Sequence, residues 1–214
     1  MLNRLVLASA SPRRQLLVGL LSHPYRVAPQ DVDEAAFVLE DPVLTALNIA
    51  RAKARSARPA LDESEIALTA DTIVVSDGQA LGKPRSPEEA RNMLRALRAR
   101  PHVVATGVSL TARNGEEWNA IVTTRVFMRH VADVAIDAYV ARGEPFDKAG
   151  GYAIQDEAFN PVERVEGCYL NVVGLPLCAV SRGLETLGAG PAGSEERLLP
   201  PCHFCRSAPF EIPG

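Results

Sequence analysis

The chain reads as a single α/β domain built on a mixed sheet, and three stretches predict it. Near the amino end, the apolar run Leu5-Val6-Leu7 passes through small residues into a proline-initiated helix. In the interior, a helix-period segment opening at Asp41-Pro42 precedes an apolar strand that reaches Val75. Further on, two long strands, His102 to Leu110 and Trp118 to Met128, flank an Asn114-Gly115 turn and must therefore pair antiparallel. Helix-linked strands beside a long hairpin exclude the purely parallel sheet of a dinucleotide-binding domain.

At 214 residues and 47% hydrophobic, the chain can bury one sizeable core and is short for two full domains. Its net charge of -3 argues against nucleic acid as an obligate partner, since non-specific binding relies on many Lys and Arg neutralising phosphates. A small phosphorylated ligand is still compatible with that charge. No apolar run approaches the roughly 18 residues of a membrane span. Arg13 and Arg14 also interrupt the amino-terminal apolar stretch before a signal-peptide core develops. The expectation is a cytoplasmic protein without a membrane partner. The four cysteines, Cys168, Cys178, Cys202 and Cys205, all fall in the last quarter, a poor arrangement for stapling a secreted domain.

In chain order, Ser11-Pro12 is the first helix start. The Ser11 side chain can cap a free amide, and Pro12 gives up an N–H that has no intrahelical partner. Arg13 and Arg14 follow inside the first turn, where the helix dipole disfavours cations by a few tenths to about 1 kcal/mol each. An anionic ligand reverses that sign, because amides and forked guanidinium groups together cradle phosphate or carboxylate. The plainer alternative puts both arginines on a solvated face opposite Leu16, Leu17, Leu20 and Leu21. Tyr25 to Ala28 is a short strand. Asp31, Asp33 and Glu34 then make a wet loop, in which Asp33 or Glu34 could hold a divalent ion near a phosphate.

The helix from Asp41-Pro42 to about Arg58 carries an apolar face through Val43, Leu44, Leu47, Ala50 and Ala54, with Arg51 and Lys53 among its basic residues. In the next strand Asp71 interrupts an apolar run, which is unfavourable unless the carboxylate is paired, hydrogen-bonded or metal-bound. Asp77-Gly78 turns the chain back into Gln79-Ala80-Leu81. Gly82-Lys83-Pro84 then restrains the backbone at Lys83 while leaving its ammonium mobile. It lacks the glycine spacing and the Ser/Thr of a Walker A loop. Ser86-Pro87-Glu88-Glu89 is the clearest helix start, with a capping box. On the hairpin, Thr106, Thr123 and Thr124 either face a cleft or serve only as strand formers.

Val131 to Arg142 reads as a helix with Val131, Val134, Ala135, Ala138 and Tyr139 inward, terminated by Gly143. Asp147-Lys148 precedes Gly150-Gly151, which lets backbone approach a ligand, and Ala153-Ile154-Gln155 reads as a strand. Asn160 to Glu166 reads as a polar connection, and Gly167 to Leu177 as strand, turn and the start of a final helix. From Gly188 onward the chain is Gly- and Pro-rich, so the expected division is a domain over 1–187 and a tail over 188–214. Cys202-His203-Phe204-Cys205 in that tail offers half a zinc site, a redox pair, or simply tail.

Taken in order, several pieces resemble the Maf family of nucleoside triphosphate pyrophosphatases, also described as septum-formation inhibitors. They are Ser9-Ala10-Ser11-Pro12-Arg13-Arg14, Ala70-Asp71-Thr72, Gly82-Lys83-Pro84, Thr106-Gly107-Val108, Asp147 to Tyr152 with Ile154-Gln155, and Asn171 to Leu177. The resemblance implies an extended, twisted mixed sheet flanked by helices, like that of inosine triphosphatases, with two lobes around a central cleft, often in a homodimer. It further implies divalent-metal-dependent (Mg²⁺ or Mn²⁺) hydrolysis between the α and β phosphates, giving a nucleoside monophosphate and pyrophosphate. By position, Asp71 would be the proton acceptor, with Glu34 and Lys83 completing the catalytic group and Glu34 and Asp71 holding metal. Ser9, Arg13, Arg14, Lys53, Thr72, Lys148 and Gln155 would bind the nucleotide. The set Arg13, Thr72 and Gln155 resembles the branch acting on dTTP and UTP. The chain departs from the family pattern at Leu16, where Glu is common, and at Asp156-Glu157, where Gly commonly follows the glutamine. A nucleotide-binding regulator of cell division with little turnover is the competing expectation.

Overall fold

The computed structural model describes residues 4–21 and 23–190. The cysteine-containing stretch Cys202 to Cys205, with the metal and redox alternatives attached to it, lies outside the described residues. Seven strands form one sheet in the order β2 (Tyr25–Val27), β1 (Arg4–Leu7), β3 (Glu65–Ser76), β5 (Pro101–Ala112), β6 (Glu117–Met128) and β7 (Val162–Glu166), with β4 (Gln79–Leu81) paired to β3. β1 runs parallel to β2 and β3, and every other pairing is antiparallel. The mixed sheet expected from the hairpin is therefore what forms.

The long strands β3, β5 and β6 each pass through two apolar clusters. One gathers Leu5, Leu68, Val108, Leu110 and Trp118 with α1 (Pro12–Val18) and α6 (Leu177–Thr186). The other gathers Val74, Val104, Val126 and Met128 with α3 (Pro87–Leu97) and α4 (Asp133–Ala141). On β3 the handover falls between Ala70 and Val74, so the two lobes meet at the Asp71-Thr72-Ile73 segment. α2 (Pro42–Ala57) lies across β3 and β5. Its backbone comes so close at Gly107 that a Cβ there would sit 2.4 Å from Leu47 Cα.

Several local expectations are corrected. α1 buries Leu17 and Val18 but leaves Leu16 75% exposed, and Leu20 in the turn after it is 54% exposed, so the apolar face is rotated and the first turn faces inward across the cleft. α4 buries Ile136, Tyr139 and Val140 and turns Val134 out, because the helix starts at Asp133. Ala153 to Gln155 is not a strand: left-handed Gly150 and Gly151 turn the chain, and Asp156 caps the Phe159 amide at 2.7 Å. Val162 to Glu166, read as a connection, forms β7 by pairing with β6, and its three charged residues stay exposed as suits an edge strand. Tyr169–Val173 is a short helix, α5, in place of the expected strand.

Candidate active site

The site is a notch in the edge of the sheet. On one side β3 is paired with β5 from Ile66 to Val75. On the other, β1 covers Glu65 to Leu68 and β4 covers Val74 to Ser76, leaving the stretch around Asp71 without a partner strand. Adjacent strand residues point to opposite faces. Asp71 therefore projects toward α2 with Thr69, whose hydroxyl donates to the Ala50 carbonyl at 2.8 Å. Thr72 projects to the other face, toward α1 and α5. A cavity of about 1020 Å³ runs through the notch and touches both faces. Its walls include all of Ser9, Arg13, Arg14, Glu34, Lys53, Asp71, Thr72, Lys83, Lys148 and Gln155.

On the α2 face, Lys53 Nζ lies 2.9 Å from Asp71 Oδ1 and 2.7 Å from Glu34 Oε1. The close approach at Gly107, which is in register with Asp71, sets α2 at the height where Lys53 reaches the carboxylate. Between the two acidic candidates of the preceding loop the structure separates the roles. Asp33 caps the turn Glu34–Phe37 through the Ala35 amide, whereas Glu34 reaches Lys53. Burial pushes the Asp71 carboxyl above the usual range, against the pull of Lys53 and Arg14. Two carboxylates converging on one ammonium have the charge and the oxygen donors that suit a hard divalent cation. Among the described residues no group of three or more such donors gathers. The pair nonetheless fits an ion that takes its other oxygens from phosphate and water, the usual habit of Mg²⁺.

On the opposite face, Arg14 is set by three neutral oxygens. Its Nε donates to the Gly174 carbonyl at 2.9 Å, Nη1 to Ser9 Oγ at 3.4 Å and Nη2 to Thr72 Oγ1 at 3.1 Å. Ser11 caps α1, accepting from the Arg14 amide, as the sequence indicates. Desolvation lowers the Arg14 pKa, yet a guanidinium stays charged at neutral pH. Among the described residues no carboxylate pairs with it directly. The result is a desolvated positive charge facing a cavity, which an anion would balance.

The far wall comes from the Asp147 turn. Arg13 Nη1 donates to Asp147 Oδ2 at 3.0 Å, linking α1 to that turn across the cleft. Lys148 bonds to the carboxylates of Asp147 and Glu144. Burial alone would raise the Asp147 pKa, but these cations outweigh it and hold the carboxyl below the usual range. Lys83 and Gln155 stand exposed on the rim. Asp156, one of the departures from the family pattern, turns away to pair with Arg142 at 2.7 Å. The sequence reading left out the Gly174 carbonyl and the buried Asn171. A polar Asn171 inside the apolar run Leu170 to Leu177 was the available signal.

The family model described as "Maf-like protein" matches residues 4–187 of the chain. The chain belongs to the Maf family. A "dTTP/UTP pyrophosphatase" of Thermomicrobium roseum is 48% identical over 212 residues, covering 97% of this chain and 95% of that protein. A protein of the same description from Geobacter sp. strain M21 is 46% identical over 188 residues, covering 86% of this chain and 96% of that one. Among solved structures, a HAM1 protein from Coxiella burnetii superposes on 59% of this Maf-family chain and 73% of its own, at a TM-score of 0.41 and 19% identity. Among the described residues, no helix of the chain is long and apolar enough to cross a membrane.

Proposed function

We propose that this chain is a nucleoside triphosphate pyrophosphatase that hydrolyses the α–β phosphate bond of dTTP and UTP. The observation that carries the reading is the pairing of opposite demands in one cavity. Arg14 presents a charge without a carboxylate partner among the described residues, and Asp71 presents a carboxyl group whose pKa burial raises, a single residue away from the threonine that holds Arg14. Relatives described as dTTP/UTP pyrophosphatases support the choice of substrate.

In this reading Arg14 and Lys148 grip the triphosphate, with Ser9 adding a hydroxyl. Water attacks the α-phosphorus as the bond from that phosphorus to the α–β bridging oxygen breaks. Pyrophosphate leaves with that oxygen, and Asp71 takes the proton of the attacking water. Lys53 keeps the Asp71 side chain oriented, and Lys83, mobile at the rim, compensates charge on the departing pyrophosphate. Glu34 and Asp71 would hold a divalent cation, Mg²⁺ or Mn²⁺, which when bound supplies Lewis-acid polarisation and charge neutralisation. Gln155, able to donate and accept, reads the pyrimidine edge together with Arg13 and Thr72. The family's homodimer belongs to the same reading, and the outward Leu16 of α1 and Leu20 of the turn after it give it apolar surface.

The test is product identity with dTTP, UTP, CTP, GTP and 7-methyl-GTP, each with Mg²⁺, Mn²⁺ or no metal. Nucleoside monophosphate plus pyrophosphate is expected, fastest from dTTP and UTP. Saturable binding without hydrolysis would instead favour a regulator. Asp71→Asn should keep the fold, seen by circular dichroism, and cut pyrophosphate release by about 10²–10⁴-fold, the usual worth of a proton acceptor. Equal turnover by the variant rejects the assignment.

A further inference from the structure

A line of polar groups runs from the cavity into the core. Arg14 Nη2 donates to Thr72 Oγ1 at 3.1 Å, Thr72 Oγ1 lies 2.9 Å from Thr106 Oγ1, and Thr106 Oγ1 donates to the Asn171 carbonyl at 3.3 Å. Each hydroxyl has one hydrogen. The carbonyl of Asn171 can only accept, so the Thr106 hydrogen points to it. The Thr72 hydrogen must then point to Thr106, and a Thr72 lone pair is left for the guanidinium. Asn171 is itself fixed, its Nδ2 donating to the Val104 carbonyl at 3.0 Å and to Thr124 Oγ1 at 2.9 Å. The direction of the whole chain is thus set from the core outward.

Thr106 is fully buried and does not line the cavity. We propose that Thr106 is a positioning residue for phosphate binding: it takes up the Thr72 hydroxyl hydrogen and so keeps Thr72 an acceptor that aims Arg14 at the substrate. Without the Thr106 oxygen, the Thr72 hydrogen loses its inward partner, so the hydroxyl rotor is no longer fixed and its lone pair is no longer held toward the guanidinium. The inference rests on the pyrophosphatase reading, in which Arg14 grips the triphosphate.

Thr106→Val removes the hydroxyl at nearly constant shape, and Thr106→Ser keeps it. The Val variant should raise KM for dTTP and UTP and the inhibition constant of inorganic pyrophosphate by the same factor, about five- to tenfold, the worth of one hydrogen bond between neutral groups. The Ser variant should stay within about twofold of wild type. In an Arg14→Lys background, Thr106→Val should add little, because its effect passes through Arg14. A loss confined to kcat, an unchanged pyrophosphate constant, or the same factor in the Arg14→Lys background would overturn the inference. If Thr106→Val does not fold, Thr106→Ala is read in the same way. Wild-type protein that binds pyrophosphate but hydrolyses no triphosphate defeats the parent reading alone, and the variants are then compared by calorimetric titration with pyrophosphate. Wild-type protein that neither binds pyrophosphate nor hydrolyses triphosphate defeats both.

Discussion

Asp71 is held between burial, which favours its neutral form, and Lys53 with Arg14, which favour its carboxylate, and burial prevails. In the proposed mechanism Asp71 is the base and must be deprotonated to act, so the acid limb of kcat/KM should lie above the range of an ordinary aspartate. Replacing Lys53 with Met removes one of the groups that favour the charged form. The limb should then move further toward neutral pH, which a pH–rate profile of Lys53→Met against wild type checks. Asp71 and the arginine pair were legible in the sequence, because a carboxylate in an apolar strand and two cations in a helix's first turn both violate local rules. Two of the three groups that fix Arg14, Ser9 and Thr72, follow from the family resemblance, whereas the third, the Gly174 carbonyl, is a backbone group that breaks no pattern. Thr106, behind Thr72, stands in the sequence only as a strand threonine that either faces a cleft or serves the strand.

Among the elements, α2 and β3 do most to shape the site, and Gly107 governs their distance. Adding a Cβ there places it 2.4 Å from both Leu47 Cα and Leu47 N, and backbone cannot yield as a side-chain tip can. Gly107→Ala should destabilise the fold by about 1–3 kcal/mol through overpacking. It should also lower activity, because α2 lifts Lys53 away from Asp71; thermal unfolding and pyrophosphate release measure the two effects. The capped helices and the Asn114-Gly115 hairpin were readable from short motifs, since caps and turns are decided locally. α5 and β7 were misread because tertiary partners decide them: Asn171 reaches two strands, and β7 depends on the edge offered by β6.

Across the whole molecule, acid stability should depend on Glu65. It is 1% exposed and joins three strands: Arg26 of β2 at 2.7 Å, Arg4 of β1 at 3.8 Å, and its own β3. The Arg26 hydrogen bond, opposed by desolvation, lowers its pKa from 4.5 to about 2. A lowered carboxylate stabilises fully above its unfolded value, so this contribution should fade as pH falls from 4.5 toward 2. Denaturant titrations should show that fall in wild type and a flatter profile in Glu65→Gln. The two lobes were expected from resemblance and not from periodicity, because the strands that carry both clusters run unbroken from one cluster to the other. The open edge of β3 has one more consequence. Neighbouring positions 71 and 72 look out on opposite sides of a single ribbon, so the carboxylate that meets Lys53 and the hydroxyl that holds Arg14 enter one cavity from two faces although adjacent in the gene. A slip of that ribbon by one residue would exchange the two faces, so its register carries both halves of the pocket together.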